Sequence, residues 1–141
     1  MPKFLPDTNI IQSKMFATRK PPSKLYYSTV VFGELMTACN DTKELKSYRE
    51  AWKLADKNEL LVVPTKEDWL EAGRIQFLLA QDRKKDASGK SPKRTAKVKQ
   101  ELALDCLIAV SCCRENITVI TNDGDFWAIG RYLKKLKLLK F

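Results

Sequence analysis

The chain has 141 residues, of which 44% are hydrophobic and only five are glycine, a composition typical of one globular domain and not of a disordered protein. Its 26 lysines and arginines against 17 aspartates and glutamates give a net charge of +9, which favours an anionic partner such as nucleic acid. It has no histidine and four cysteines without a CxxC pair, which excludes histidine-based catalysis, argues against a zinc site and predicts buried free thiols.

Strand-like and helix-like segments alternate along the first half of the chain. The predicted strands are Lys3–Pro6, Lys24–Thr29 and Glu59–Val63, and the predicted helices are Asp7–Thr18, Val30–Cys39 and Asp41–Lys57. The first helix opens with the cap-like DTN, and the third places aromatic and aliphatic residues at helical spacing.

The second half continues the alternation after one interruption. A helix is predicted from Thr65 to about Gln81, but the stretch from Gln81 to Lys97 has no apolar residue larger than alanine and carries most of its charge as lysine and arginine. The later predicted elements are a helix at Glu101–Arg114, a strand at Ile117–Thr121, a helix at Phe126–Leu133 and an edge strand at Leu136–Phe141. We therefore predict a single domain over residues 1–141 with an exposed basic insertion at about 82–99.

Signals for several other classes of protein are missing. No run of 18 apolar residues predicts a membrane span, and the start MPKFLPDTNI lacks a signal-peptide apolar region, so a cytoplasmic protein is predicted. The phosphate-binding patterns GxxxxGK[ST] and GxGxxG are also missing from the sequence.

The order of the predicted elements indicates an α/β fold with a mainly parallel sheet covered on both faces. Right-handed crossovers keep the carboxyl ends of parallel strands at one edge, where ligands bind. Acidic residues from separate segments should meet at this edge: Asp7 after the first strand, Glu34 and Asp105 near the starts of helices, and Asp123 and Asp125 after the strand ITVIT. Asp105 is expected in the first turn or two of its helix.

Some of these acids have an ordinary structural explanation. Taken alone, Asp7 is equally well explained as a helix cap, whereas Asp123 and Asp125 taken alone are better explained as turn residues. Glu34 and Asp105 interrupt strongly apolar helical segments, and Asp105 has no lysine or arginine three or four places away. A partly buried carboxylate in such a place needs compensation from elsewhere in the fold.

A divalent cation would compensate converging carboxylates that otherwise repel one another. Oxygen ligands without histidine or cysteine favour Mg²⁺ or Mn²⁺ over zinc. A carboxylate-held ion of this kind activates water for attack on a phosphodiester. Together with the positive net charge, the acids predict metal-dependent phosphodiester hydrolysis.

Four motifs, DTNI, STVVFGEL, ALDCLIA and TNDGDF, resemble in order and spacing those of the PIN domain, and most of all those of toxin ribonucleases of the VapC type. The resemblance spans nearly the whole chain and implies a Mg²⁺- or Mn²⁺-dependent ribonuclease with a compact three-layer α/β/α fold. It implies a catalytic quartet of Asp7, Glu34, Asp105 and Asp123, metal ligation by Asp7, Asp105, Asp123 and Asp125, and polar support from Asn9 and Thr121.

Three functions fit this pattern. The first is a toxin that cleaves RNA, pairs with a small antitoxin protein and forms a homodimer; the second is a PIN nuclease of RNA maturation or decay without an antitoxin. The third is a nucleic-acid-binding module with little catalysis. The basic insertion is longer and more charged than the family pattern. Its predicted RNA contacts are Lys84, Lys85, Lys90, Lys93, Arg94, Lys97 and Lys99, and the alternative is a merely solvated loop.

Overall fold

A computed structural model of the chain describes residues 2–13, 24–85 and 96–141, without the side chains of residues 84 and 85. The strands within these ranges are β1 (Phe4–Pro6), β2 (Tyr27–Ser28), β3 (Leu61–Val62), β4 (Thr118–Ile120) and β5 (Lys137–Leu139). The helices are α1 (Thr8–Gln12), α2 (Thr29–Thr37), α3 (Thr42–Lys57), α4 (Lys66–Lys85), α5 (Ala96–Arg114) and α6 (Gly124–Gly130).

Every strand pairing is parallel among the described residues. β4 lies between β1 and β5, and β2 pairs with β3. A parallel bridge between Phe4 and Leu25, with the Tyr26 N–H donating to the Phe4 carbonyl at 2.7 Å, places β2 beside β1. The resulting order is β3-β2-β1-β4-β5. The chain leaves β1 to one side and later returns to its other side, so the carboxyl ends of β1 and β4 flank the switch point where such sheets bind ligands.

Helices form two groups, one for each side of the sheet. Within the groups, α2 contacts α1 and α3, whereas α5 contacts α4 and α6, and α4 also contacts α6. Between the groups, α2 contacts α5. With right-handed crossovers, strand order β3-β2-β1-β4-β5 puts the first group on one face and the second on the other. The predicted three-layer α/β/α fold with a parallel sheet is confirmed.

Polar side chains start several of the helices, and apolar ones fix them to the sheet. Asp7, Ser28, Asp41 and Asp123 are N-caps whose side chains accept a backbone N–H from the first turn. The central helix α5 buries one continuous stretch, residues 106–112, and contacts β4 together with the helices α2, α4 and α6. Fully buried strand residues such as Leu5 and Val119 complete this core.

Several predicted boundaries differ from the structure. The first predicted helix ends early, since Ser13 is already extended (φ −72°, ψ 135°), and residues 14–18 of that prediction lie outside the described residues. α4 runs to Lys85 rather than Gln81, and α5 begins at Ala96 rather than Glu101. Both extensions lie in the predicted basic insertion, so its described parts are helical ends, and residues 86–95 lie outside the description.

The cysteines are free thiols, as predicted. Cys106 and Cys112 are buried, and Cys39 and Cys113 are partly buried. Among the described residues, no helix has the length and apolar character to cross a bilayer.

Candidate functional site

The four acids of the predicted quartet line one cavity of about 150 Å³ at the carboxyl end of the sheet. Asp7 follows β1, Glu34 lies in α2, Asp105 lies in α5, and Asp123 follows β4. The remaining lining residues are Thr8, Asn9 and Glu101. Separate parts of the chain thus bring five carboxylates to one small space.

Asp7 is buried, with 4% of its surface exposed, and it serves both as a helix cap and as a wall of the cavity. Its Oδ1 accepts the Ile10 N–H at 2.9 Å, and its Oδ2 accepts the Thr121 hydroxyl at 2.5 Å. Burial raises the pKa of Asp7, hydrogen bonds from the Thr121 hydroxyl and from the backbone of Ile10 and Asn9 oppose that rise, and the charge of Asp123 adds to it. These hydrogen bonds do not fill the roughly four lone-pair positions of a carboxylate, so capping and metal binding are compatible.

Thr121, predicted as a polar support, joins two of the acids. Its buried hydroxyl donates to Asp7 and accepts the Asp123 N–H at 3.0 Å. Asn9 is exposed at the cavity wall. The threonine therefore fixes the ends of β1 and β4 relative to each other.

Glu34 is partly buried and is held by a residue that the sequence did not single out. The Thr8 hydroxyl donates to Glu34 Oε1 at 3.0 Å, across 26 positions of chain. Burial raises the pKa of Glu34, the Thr8 hydrogen bond lowers it, and the charges of Asp7 and Glu101 raise it.

Glu101 also lines the cavity and was not among the predicted site residues, although its spacing from Asp105 indicates such a position. It lies four residues before Asp105 in α5, and residues at that spacing share one helix face. The sequence placed it at the solvated start of a helix, where an acid is unremarkable.

Asp105 is the most perturbed acid of the cavity. Burial, followed by the charges of Asp123, Glu34, Asp125 and Asp7, raises its pKa to about 8. No lysine or arginine among the described side chains forms an ion pair with it. Its predicted place in the first turn or two of the helix was wrong, because α5 starts nine residues earlier at Ala96. Asp105 still lines the cavity, which it does from the middle of α5 and not from its start.

Asp105, Asp123 and Asp125 have the geometry of a cation site. Each offers a carboxylate oxygen, and these oxygens lie within 4.8 Å of one another. Asp123 also caps α6 by accepting the Asp125 N–H at 2.9 Å. Asp7 is not one of this group but adjoins it in the cavity. The donors are all hard oxygens, which fit Mg²⁺ or Mn²⁺.

The predicted RNA contacts are only partly within the described residues. Lys97 and Lys99 are exposed in the first turn of α5. Lys97 precedes Glu101 by four residues and Asp105 by eight, so it lies on the helix face that leads to the cavity. Lys84 and Lys85 end α4, with side chains outside the description, and Lys90, Lys93 and Arg94 lie outside it entirely.

Comparison with known proteins agrees with this arrangement. The PIN domain family model matches residues 5–132. No curated protein matches the chain.

Three solved structures with similar folds come from VapBC systems. VapBC-5 from Mycobacterium tuberculosis, of a family of toxin-antitoxin systems, has a TM-score of 0.61, 17% identity and full coverage of both chains. VapBC2 from Rickettsia felis, bound to a promoter DNA fragment, has a TM-score of 0.58 at 16% identity, covering 99% of this chain and 98% of that one. DNA-bound VapBC from Salmonella typhimurium has a TM-score of 0.59 at 15% identity, with the same coverage.

Proposed function

The chain belongs to the PIN domain family, and we propose that it is a Mg²⁺- or Mn²⁺-dependent endoribonuclease, the toxin of a toxin–antitoxin pair. The observation that carries this proposal is the cavity in which five carboxylates converge. Asp105, the most perturbed of them, forms no ion pair among the described side chains. Such an arrangement favours an external cation, and a catalytically retired site would have no reason to retain it.

The residues that would hold the metal are Asp105, Asp123 and Asp125, with Asp7 beside them. When bound, the metal supplies Lewis acidity that activates water and stabilises charge on the phosphate. Asp105 gives up its proton as the site fills, because a metal ligand must be deprotonated. Thr121 keeps Asp7 oriented toward the cavity through its hydroxyl.

Glu34 has a separate part in the proposed reaction. It lies at the cavity wall, outside the group of three converging oxygens, and Thr8 fixes one of its carboxylate oxygens. Burial raises its pKa, which brings the group closer to neutral pH and suits it to accept a proton from the attacking water. We assign it the role of general base.

The proposed partners are RNA, a small antitoxin protein and a second copy of the chain. The three similar structures, which belong to VapBC systems, support the antitoxin among these partners. A nuclease of RNA maturation or decay would contain the same cavity but would have no antitoxin.

Activity is tested by incubating the purified protein with total RNA in Mn²⁺, in Mg²⁺ and in chelator, and by sequencing the new RNA ends. We expect cleavage with either metal and none in chelator. Cleavage that continues unchanged in chelator would contradict the metal-dependent mechanism.

The toxin role is tested by expression in a host. Wild-type protein should arrest growth, and co-expression of a small neighbouring gene should relieve the arrest and yield a co-purifying complex. Active cleavage without arrest or partner would favour the RNA-maturation nuclease. Light scattering on the isolated chain tests the homodimer.

A further inference from the structure

The last part of the chain is strongly basic and was not among the predicted RNA contacts. Residues 126–141 contain no aspartate or glutamate and five cations. They form what we call the C-terminal basic strip: Arg131, Lys134, Lys135, Lys137 and Lys140. All five are exposed in the structure. None of the four lysines forms an ion pair with another described side chain.

The strip follows the edge of the sheet toward the acid cavity. β5 is an edge strand, with Lys137 opposite Thr118 at one end and Leu139 opposite Ile120 at the other. The Leu139 carbonyl accepts the Thr121 N–H at 3.0 Å, and the Phe141 N–H donates to Asn122 Oδ1 at 2.9 Å. Lys140 therefore lies beside the segment that leads directly into Asp123.

An exposed aromatic ring accompanies the cations. Trp127 in α6 is 43% exposed, which leaves part of its ring open to stack on a base. Arg131 follows four residues later at the C-cap of the same helix, so the two side chains share a face. A flat ring beside a series of cations is the combination on which single-stranded nucleic acids stack and bind.

Cations beside the acid cavity would favour the approach of an RNA strand. The ionised carboxylates of the cavity repel a phosphodiester, and nearby cations reduce that repulsion. Lys97 provides a cation on the α5 side of the cavity, and Lys140 provides one on the β4–β5 side. The acids thus have a lysine on each of two sides.

We propose that the C-terminal basic strip and Trp127 bind a single-stranded RNA chain and hold it across the acid cavity. The identity of this strand as the substrate rests on the proposed nuclease function. Binding itself does not, because the lysines contact phosphates and the tryptophan stacks on a base whether or not the strand is cut.

The test measures binding of a fluorescent single-stranded RNA in chelator, over a series of salt concentrations. One variant replaces the strip lysines by glutamine: Lys134→Gln, Lys135→Gln, Lys137→Gln and Lys140→Gln. The matched control removes the same charge from exposed lysines of α3, on the other side of the sheet: Lys43→Gln, Lys46→Gln, Lys53→Gln and Lys57→Gln. Thermal melts check that both variants are folded.

The strip variant should bind RNA about 10- to 100-fold more weakly, and the slope of log affinity against log salt should fall by roughly 0.7 for each phosphate that the protein no longer neutralises. The α3 control should remain close to wild type. Equal weakening in the two variants would mean that only net charge matters, and an unchanged strip variant would remove the strip from the interface. Either result overturns the proposal.

Trp127→Leu separates stacking from charge. It should weaken RNA binding by about tenfold while leaving the salt slope unchanged, since no cation is removed. Competition with polyglutamate tests whether the strip binds an acidic protein instead of RNA. If polyglutamate displaces the labelled RNA as effectively as unlabelled RNA does, the proposal is overturned. If no metal supports cleavage but the strip variant still binds RNA more weakly, the nuclease function fails and this inference stands.

Discussion

Two partly or fully buried acids on neighbouring helices are compensated in opposite ways. Asp68 in α4 is 3% exposed, and both of its oxygens accept the Arg114 Nε–H, at 3.1 and 3.0 Å. Its Oδ2 also accepts the Thr65 N–H at 2.9 Å. Asp105 in α5 has four acids for neighbours, and no described side chain pairs with it as a cation.

Helix α5 contains both Asp105 and the arginine that pairs with Asp68. Arg114 ends α5 and bridges to Asp68, nine positions after Asp105. A buried carboxylate with a purely structural role is expected to have a cation of the protein beside it, because an unpaired buried charge strongly destabilises the fold. Asp105 lacks that partner, which is the arrangement expected of an acid that binds an external cation.

The largest expected effect separates the two acids by activity. Asp105→Asn removes a ligand charge while preserving shape, so RNA cleavage should fall by a factor on the order of 100 to 1,000 or more, a range typical for removing a group that acts on the transition state. Asp68→Asn should cleave at the wild-type rate per folded molecule. Initial rates in Mn²⁺, normalised to the folded fraction, measure both. Comparable decreases in the cleavage rate of the two variants would contradict the different roles assigned to Asp105 and Asp68.

The next effect is on the pH dependence of stability in chelator. Between its ordinary value of 3.8 and its folded pKa of about 8, Asp105 holds its proton in the folded state and loses it in the unfolded state. The free energy of unfolding should therefore fall as pH rises through this window, by at most about 1.4 kcal/mol per pH unit.

Asp105→Asn sharpens this pH test. The free energy of unfolding of this variant should fall much less between about pH 4 and 8 than that of the wild type. A smaller fall should remain because the pKa values of Asp7 and Glu34 are also raised. Urea unfolding at a series of pH values measures the slope. A wild-type stability that rises from pH 5 to 8 in chelator would be incompatible with a raised Asp105 pKa.

A smaller effect is expected for the stability of the paired acid. Asp68→Asn removes the buried carboxylate from Arg114, which keeps its ion pair with the exposed Glu115. The free energy of unfolding should fall by about 1–3 kcal/mol at neutral pH, less than for a fully buried pair because the Arg114 side chain is 37% exposed. In chelator at the same pH, Asp105→Asn should be as stable as wild type or more stable. Paired urea titrations compare them, and equal destabilisation of both would contradict the contrast between the two acids.

The smallest effect is expected for RNA binding by the lysines of the basic insertion. Replacing Lys84, Lys85, Lys97 and Lys99 by glutamine should reduce RNA affinity uniformly across sequences and lower the salt slope by roughly 0.7 for each phosphate left without a lysine. Fluorescence anisotropy over a salt series measures the slope. If the slope is unchanged, the insertion binds a partner protein or nothing.

Much of this arrangement was accessible from the sequence. Apolar runs marked the strands, and the parallel topology then placed Asp7, Glu34, Asp105 and Asp123 at one edge. The start of α5 was misplaced because residues 96–100 are all exposed and carry no apolar periodicity, although alanine, lysine and glutamine favour a helix there.

Contacts between distant residues were not accessible. The hydrogen bond from Thr8 to Glu34 spans 26 positions, and the Asp68–Arg114 link spans 46. In the sequence, Asp68 is an ordinary first-turn acid and Arg114 an ordinary last-turn cation. Which buried acid receives a cation is decided by how α4 packs on α5, and periodicity does not encode that packing.

The most direct test of a cation site at Asp105 is the thermal stability of wild type, Asp105→Asn and Asp68→Asn in chelator and in Mn²⁺. Binding to the folded state alone stabilises by RT ln(1 + [M]/Kd), about 1–3 kcal/mol at ten- to hundred-fold excess over Kd. Mn²⁺ should stabilise wild type and Asp68→Asn by the same amount and Asp105→Asn much less. Equal stabilisation of all three proteins would show that the acids around Asp105 do not form a metal site.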